Sequence, residues 1–163
     1  MGMVQSKSDG SELYSVGCLG KINETQKTKD GRMLVNLTGL TRFEIIKEIE
    51  NQKPYREFEV EYKKFDIDLK DNTQDLIKDD SLFIFMDKTK KFFKKNGLLL
   101  NWKEFQKLNQ NQQINTLAMI APVSNEEKQK LLETVTISEK TETLLNIIEF
   151  YLYENNPDKI TIQ

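Results

Sequence analysis

The chain has 163 residues, 37% hydrophobic and 31% charged, with a formal net charge of −2, a composition that supports one compact unit with a modest core and excludes a disordered chain. Histidine is absent and cysteine occurs once, which excludes the usual zinc and iron ligand sets, every histidine-dependent catalytic arrangement and any internal disulfide. Both charge signs are mixed along the length, so no basic field faces a phosphate backbone, and no apolar run approaches the roughly 20 residues that span a bilayer; a cytoplasmic protein without a membrane or nucleic-acid partner is expected.

From Leu13 to Lys63 the hydrophobic period is mostly two. Tyr14, Val16, Cys18, Gly20 and Ile22 share one face of an extended run, which predicts a strand. A second strand carries Met33, Val35 and Leu37, and Asp30-Gly31 before it is a turn signal that makes the two a hairpin. Arg42 to Ile49 reads as a third, less regular strand, with Phe43 and Ile45 on one face and Ile46 on the other. After a turn at Lys53-Pro54, Phe58, Val60 and Tyr62 alternate with Glu57, Glu59 and Glu61, the pattern of a sheet with one wet face.

Past Asp66 the period becomes helical. Leu82, Phe85, Met86, Phe92 and Phe93 predict one long amphipathic helix beginning around Asn72 to Leu76 and stopped by Gly97. Trp102, Phe105 and Leu108 mark a short second helix, and Ile114, Leu117, Ala118 and Ala121 a third that Pro122 ends. Ser124 and Glu127 have capping-box spacing, and Leu144, Ile148, Tyr151 and Leu152 share one face of a last helix.

The chemical motifs are weak. Asp66 and Asp68 sit at the first and third positions of a calcium loop, but Lys70, Asp71 and Ile77 stand where a polar ligand, glycine and glutamate are needed, so the segment reads as a solvated linker. Lys88, Lys90, Lys91, Lys94 and Lys95 surround Phe92 and Phe93; at a helix end the cations oppose the dipole and the phenylalanines fill a core stripe, a simpler reading than a membrane or base-stacking surface. No phosphate-binding glycine loop is present, and the abundant serines and lysines show no spacing that would desolvate a lysine as a base.

The order VGCLGKI, an Asp-Gly turn, LVNLTGLTRFEI and PYREFEVEY resembles the β-rich part of the Lon substrate-binding domain family, the N-terminal domain of ATP-dependent Lon proteases, which also occurs as stand-alone bacterial proteins. The matching positions are Gly17, Gly20, Ile22, Gly39, Arg42, Phe43, Pro54 and Tyr55, and APVSNEEKQKLLE with the final helix extends the similarity from Met3 to about Tyr153.

The resemblance implies an α+β fold: a PUA-like β pseudo-barrel, incomplete at its N-terminus, followed by a helical bundle. Residues 1–65 would form the β-rich lobe, 66–80 a polar joint and helix start, and 81–163 the helical lobe of one Lon-N-like unit. It further implies a non-catalytic module that takes unfolded or flexible polypeptide in an apolar groove between barrel and bundle, with no catalytic residue, metal or cofactor. The phosphate loop and Ser-Lys dyad of full-length Lon belong to later domains and have no counterpart here. Tyr55 and Trp102 are the candidate polypeptide contacts, because amphipathic aromatics anchor interfaces; Gly17, Gly20, Gly39, Arg42, Phe43 and Pro54 are read as structural. Two alternatives share these residues: an RNA-binding PUA-like protein, which the acidic balance disfavours, and an accessory binding subunit of a separate ATP-dependent protease.

Family members usually carry a Pro-, Leu- and Phe-rich strand and a Phe-Glu-x-Arg-Tyr segment before the position of GMVQ, so the chain reads as N-terminally truncated, with sheet edges left unpaired. An N-terminally extended version is expected to melt higher or self-associate less, as thermal melts and sedimentation would register. Cys18 is expected to act as a compact core residue, labelling more slowly in the native protein than a free thiol.

Overall fold

In the computed structural model the described residues are 1–7, 10, 12–70 and 77–154, and contacts divide the chain into two compact units, Met1–Asn72 and Thr73–Gln163. The first unit is a four-stranded antiparallel sheet in the order β1 (Gly2–Met3), β2 (Val16–Lys27), β3 (Met33–Ile49), β4 (Glu57–Glu61). With the helices of the second unit this makes the α+β class expected from the sequence.

The β2–β3 hairpin turns through Asp30-Gly31 as predicted. Gly31 has φ 86°, a conformation that favours glycine, and Asp30 accepts from Arg32 Nε at 2.7 Å and from the Thr28 hydroxyl. The third strand, expected to begin at Arg42, is not separate: β3 runs unbroken from Met33 to Ile49. Gly39 pairs with Gly20 beside a register shift between Leu19 and Gly20; a bulge there bends the ladder without ending it.

The single wet face also holds for only part of the sheet. Val16 and Gly17 are both buried, as are Thr41, Arg42 and Phe43 in succession, so here both faces are covered. On one face lies a kinked 3-10 segment, Lys63–Leu69, whose Phe65 is fully buried. Asp68, assigned by sequence to the polar joint, is therefore no solvated linker residue, whereas Asp66 and Leu69 are exposed. The Asp68 carboxylate accepts from Arg42 Nε at 2.9 Å, from Arg42 Nη2 at 2.7 Å and from the Arg42 backbone N–H at 3.0 Å. The guanidinium carbon sits 4.4 Å from the Phe65 ring centroid, so the fork is paired in its plane and covered by a π-face. Residues 71–76, where the sequence placed the start of the long helix, lie outside the described residues.

On the opposite face the N-terminal segment presses against β2. A Cβ built on Gly17 would stand 2.7 Å from the Met3 carbonyl oxygen and 2.7 Å from Phe43 Cζ, so this glycine is required by close approach. Gly20 and Gly39 are not crowded in that way: a Cβ on Gly20 makes ordinary contact with Leu37 and one on Gly39 meets nothing within 4 Å. Cys18 is half-buried beside Arg42, its cross-strand partner.

The second unit contains α1 (Asp79–Lys95), α2 (Trp102–Phe105), α3 (Gln110–Ile120), α4 (Asn125–Glu133) and α5 (Ile137–Glu154). Phe85, Phe92, Phe93, Ile114, Leu144 and Ile148 are buried at the helical spacing read from sequence. The lysines among the phenylalanines face outward, Lys91 pairing with Asp87 at 2.6 Å and Lys88 with Glu149. Ser124 and Glu127 form the predicted capping box, and a second, Asn109 with Gln112, opens α3. Tyr151 donates its hydroxyl to Glu127 at 2.8 Å, tying the α4 cap to α5.

Ahead of α5, the Thr136 and Val135 backbone N–H groups donate to Glu139 Oε2 at 3.1 and 2.9 Å, and these bonds hold its carboxyl below the usual glutamate range. A lowered folded pKa gives stabilisation that is complete above the ordinary value and is lost as pH falls through the folded one. Glu139→Gln is expected to remove this part of the acid sensitivity of α5, seen as a flatter dependence of melting temperature on pH between about 5 and 3.

Arg42→Gln is expected to destabilise the first unit by about 3 kcal/mol, since it leaves the Asp68 carboxylate, 21% exposed, without its charge partner. Gly17→Ala is expected to cost about 1–3 kcal/mol from overpacking against backbone, while Gly39→Ala changes stability by less than about 0.5 kcal/mol; urea unfolding of the variants measures all three.

Candidate functional site

The alternation of β4 puts Phe58 and Val60 on one face, directly beside the face of β3 that carries Phe43, and Tyr62, the residue after β4, continues that surface. Phe43 and Tyr62 meet edge to face with centroids 6.5 Å apart. Leu19 of β2 continues this surface, and Val4 and Leu13 of the N-terminal segment rise on its far side. Between them lies a groove of about 420 Å³ within the first unit, inside the roughly 300–1,000 Å³ range of ligand pockets. Phe43 is held as its floor because Gly17 leaves room for the ring.

Only Arg56 and Tyr62 contribute polar side chains to the groove lining. Arg56 binds Glu48 through Nε and Nη2, both at 2.6 Å, and its guanidinium stands 5.1 Å from the Phe58 ring centroid. The paired hydrogen bond lowers Glu48 below the usual carboxyl range and raises Arg56. Neither a nucleophile with an adjacent base nor a carboxylate pair lines the groove, and no group of three or more potential metal ligands occurs among the described residues.

Of the aromatic residues singled out from sequence, Tyr55 is 58% exposed. It lines an open depression with Pro54, Asn51, Glu50 and Ile49, and Lys53 Nζ lies 5.5 Å from its ring centroid. Lys53 also binds Glu57 at 2.5 Å, which raises the lysine pKa. Arg56 borders both depression and groove. Trp102 belongs to the second unit, half-buried against its core, with centroids 6.2 Å from Phe93 and 5.5 Å from Phe105. Lys90 Nζ covers the indole at 5.2 Å.

The sequence displayed Phe58, Val60 and Tyr62 as one face, but a buried face and an open groove have the same alternation. Val4 carried no periodic signal, because it falls outside the alternating run that begins at Leu13.

Fold and groove together describe an α+β domain built to bind. The chain belongs to the family described as the ATP-dependent protease La (LON) substrate-binding domain, whose model matches residues 2–149. Its structure is similar to the crystal structure of a Lon N-terminal domain protein from Xanthomonas campestris, with a TM-score of 0.61 and 16% identity over 90% of this chain and 75% of that one. It is also similar to the N-terminal domain of a Mycobacterium avium complex Lon protease, with a TM-score of 0.58 and 15% identity over 91% of this chain and 77% of that one. No curated protein matches the sequence significantly. No helix among the described residues is long and apolar enough to cross a membrane.

Proposed function

We propose that this chain is a non-catalytic polypeptide-recognition module that takes flexible segments of other proteins in the groove walled by Phe58, Val60 and Tyr62. The observation that carries this reading is the groove itself, a concavity whose lining side chains are apolar apart from Arg56 and Tyr62, in a chain whose family is described by substrate binding. Unfolded chains expose apolar side chains that folded proteins bury, so such a surface selects for the unfolded state. Tyr55, exposed beside the groove's Arg56, extends the contact surface, and Trp102 is a second contact on the helical unit. In this reading the domain supplies binding, alone or beside a separate ATP-dependent protease.

Fluorescence anisotropy of a labelled, permanently unfolded polypeptide should show saturable binding, with none to the folded form of the same sequence. Val60→Ser should weaken binding about three- to tenfold, the loss expected for partial removal of one apolar contact, and Tyr55→Ala about threefold. Salt-sensitive binding to structured RNA with no polypeptide binding would replace this reading by a nucleic-acid one.

A further inference from the structure

We infer that the groove receives its polypeptide as an added β-strand along β4, and that the favoured segment alternates apolar with basic residues. The inference rests on the polypeptide-binding reading above and goes on to the mode and the sequence class.

Three observations converge on it. First, β4 ends the sheet and is laddered to β3 alone among the described strands, so its other side offers backbone donors and acceptors to an extended chain. Second, the groove lies on the face of the sheet that Phe58, Val60 and Tyr62 share with Phe43 and Leu19, and β4 is its limit toward that edge. A strand laid there turns every second side chain into the groove, because strand periodicity is two. The groove volume of about 420 Å³ suits a few side chains and not a folded element.

Third, the remaining side chains of the added strand fall on the opposite face, beside Glu57, Glu59 and Glu61. Two of these have partners on the near side, Lys53 for Glu57 at 2.5 Å and Lys47 for Glu59 at 3.1 Å. Glu61 instead stands directly across the ladder from Glu44, a like-charge pairing that sheets disfavour. Lys64, 3.6 Å from Glu44, is the cation the structure provides there. A lysine or arginine on the added strand would sit one strand spacing from Glu61 and relieve that repulsion, whereas an acidic residue would add to it.

The test uses the full chain and fluorescence anisotropy with labelled peptides of about ten residues, long enough to cover β4. One peptide alternates valine and leucine with lysine, a second has the same composition in apolar and basic blocks, and a third carries glutamate in place of lysine. A fourth is the first with alternate backbone nitrogens methylated on the edge that would face β4. The alternating basic peptide is expected to bind at least about tenfold tighter than the acidic and methylated ones and about threefold tighter than the block peptide. Glu61→Lys, on an exposed position, is expected to shrink the preference for lysine over glutamate about fivefold. Equal affinity for the methylated and unmethylated peptides, or for the basic and acidic ones, overturns strand addition and leaves polypeptide recognition standing. Failure of every peptide and of the unfolded polypeptide to bind overturns both.

Discussion

The ion pair between Arg42 and Asp68 is the constraint on which the first unit depends. A guanidinium on a central strand, its side chain 9% exposed, is tolerable only if its fork is matched and its remaining surface covered. Asp68 matches it with two side-chain bonds and one backbone bond, and Phe65 covers it. The same contacts pin the Lys63–Leu69 segment across one face of the sheet, so a charged residue organises an apolar cover. A lysine would keep the charge but lose the bidentate geometry.

Because neighbouring residues of a strand point to opposite faces, the consecutive pair Arg42-Phe43 serves both sides of the sheet at once. Arg42 fastens the cover, and Phe43 forms the floor of the groove. Gly17, the cross-strand partner of Phe43, completes the arrangement by giving its space to the ring and to the Met3 carbonyl. The groove is thus a product of packing on the far side of the sheet as much as of its own lining. Its rim is polar where Arg56 and Glu48 neutralise each other, so its attraction for an apolar segment carries little competing charge at the entrance.

The second unit is organised by different means. Short helices such as α2 have little stability of their own, and their order comes from the aromatic contacts of Trp102 with Phe93 and Phe105 and from capping side chains that satisfy the first backbone donors. Thr89, fully buried in α1, returns its hydroxyl to the Phe85 carbonyl at 2.8 Å and so brings no unsatisfied donor into the core. The lysine run closing α1 is held by packing as well as by solvent, Lys91 pairing with Asp87 one turn back, Lys88 with Glu149 of α5, and Lys90 covering Trp102.

The sequence by itself determined what is local. The Asp-Gly hairpin, the Ser124 capping box, the Gly97 stop and the helical stripe from Phe85 to Phe93 each follow from a few adjacent residues, since turns, caps and periodicity are properties of short segments. The absence of histidine likewise settled large classes of chemistry without any structure, and the ordered motifs around Gly17, Arg42 and Pro54 carried the family. Tertiary structure alone decided what joins distant residues. Arg42 and Asp68 are 26 positions apart, and the half-match of Asp66 and Asp68 to a calcium loop concealed the role that Asp68 has. The continuity of β3 through Gly39 and the emergence of the Phe58, Val60 and Tyr62 face as a groove were decided the same way. Alternation tells which side chains share a face, but what lies against that face depends on where the rest of the chain packs.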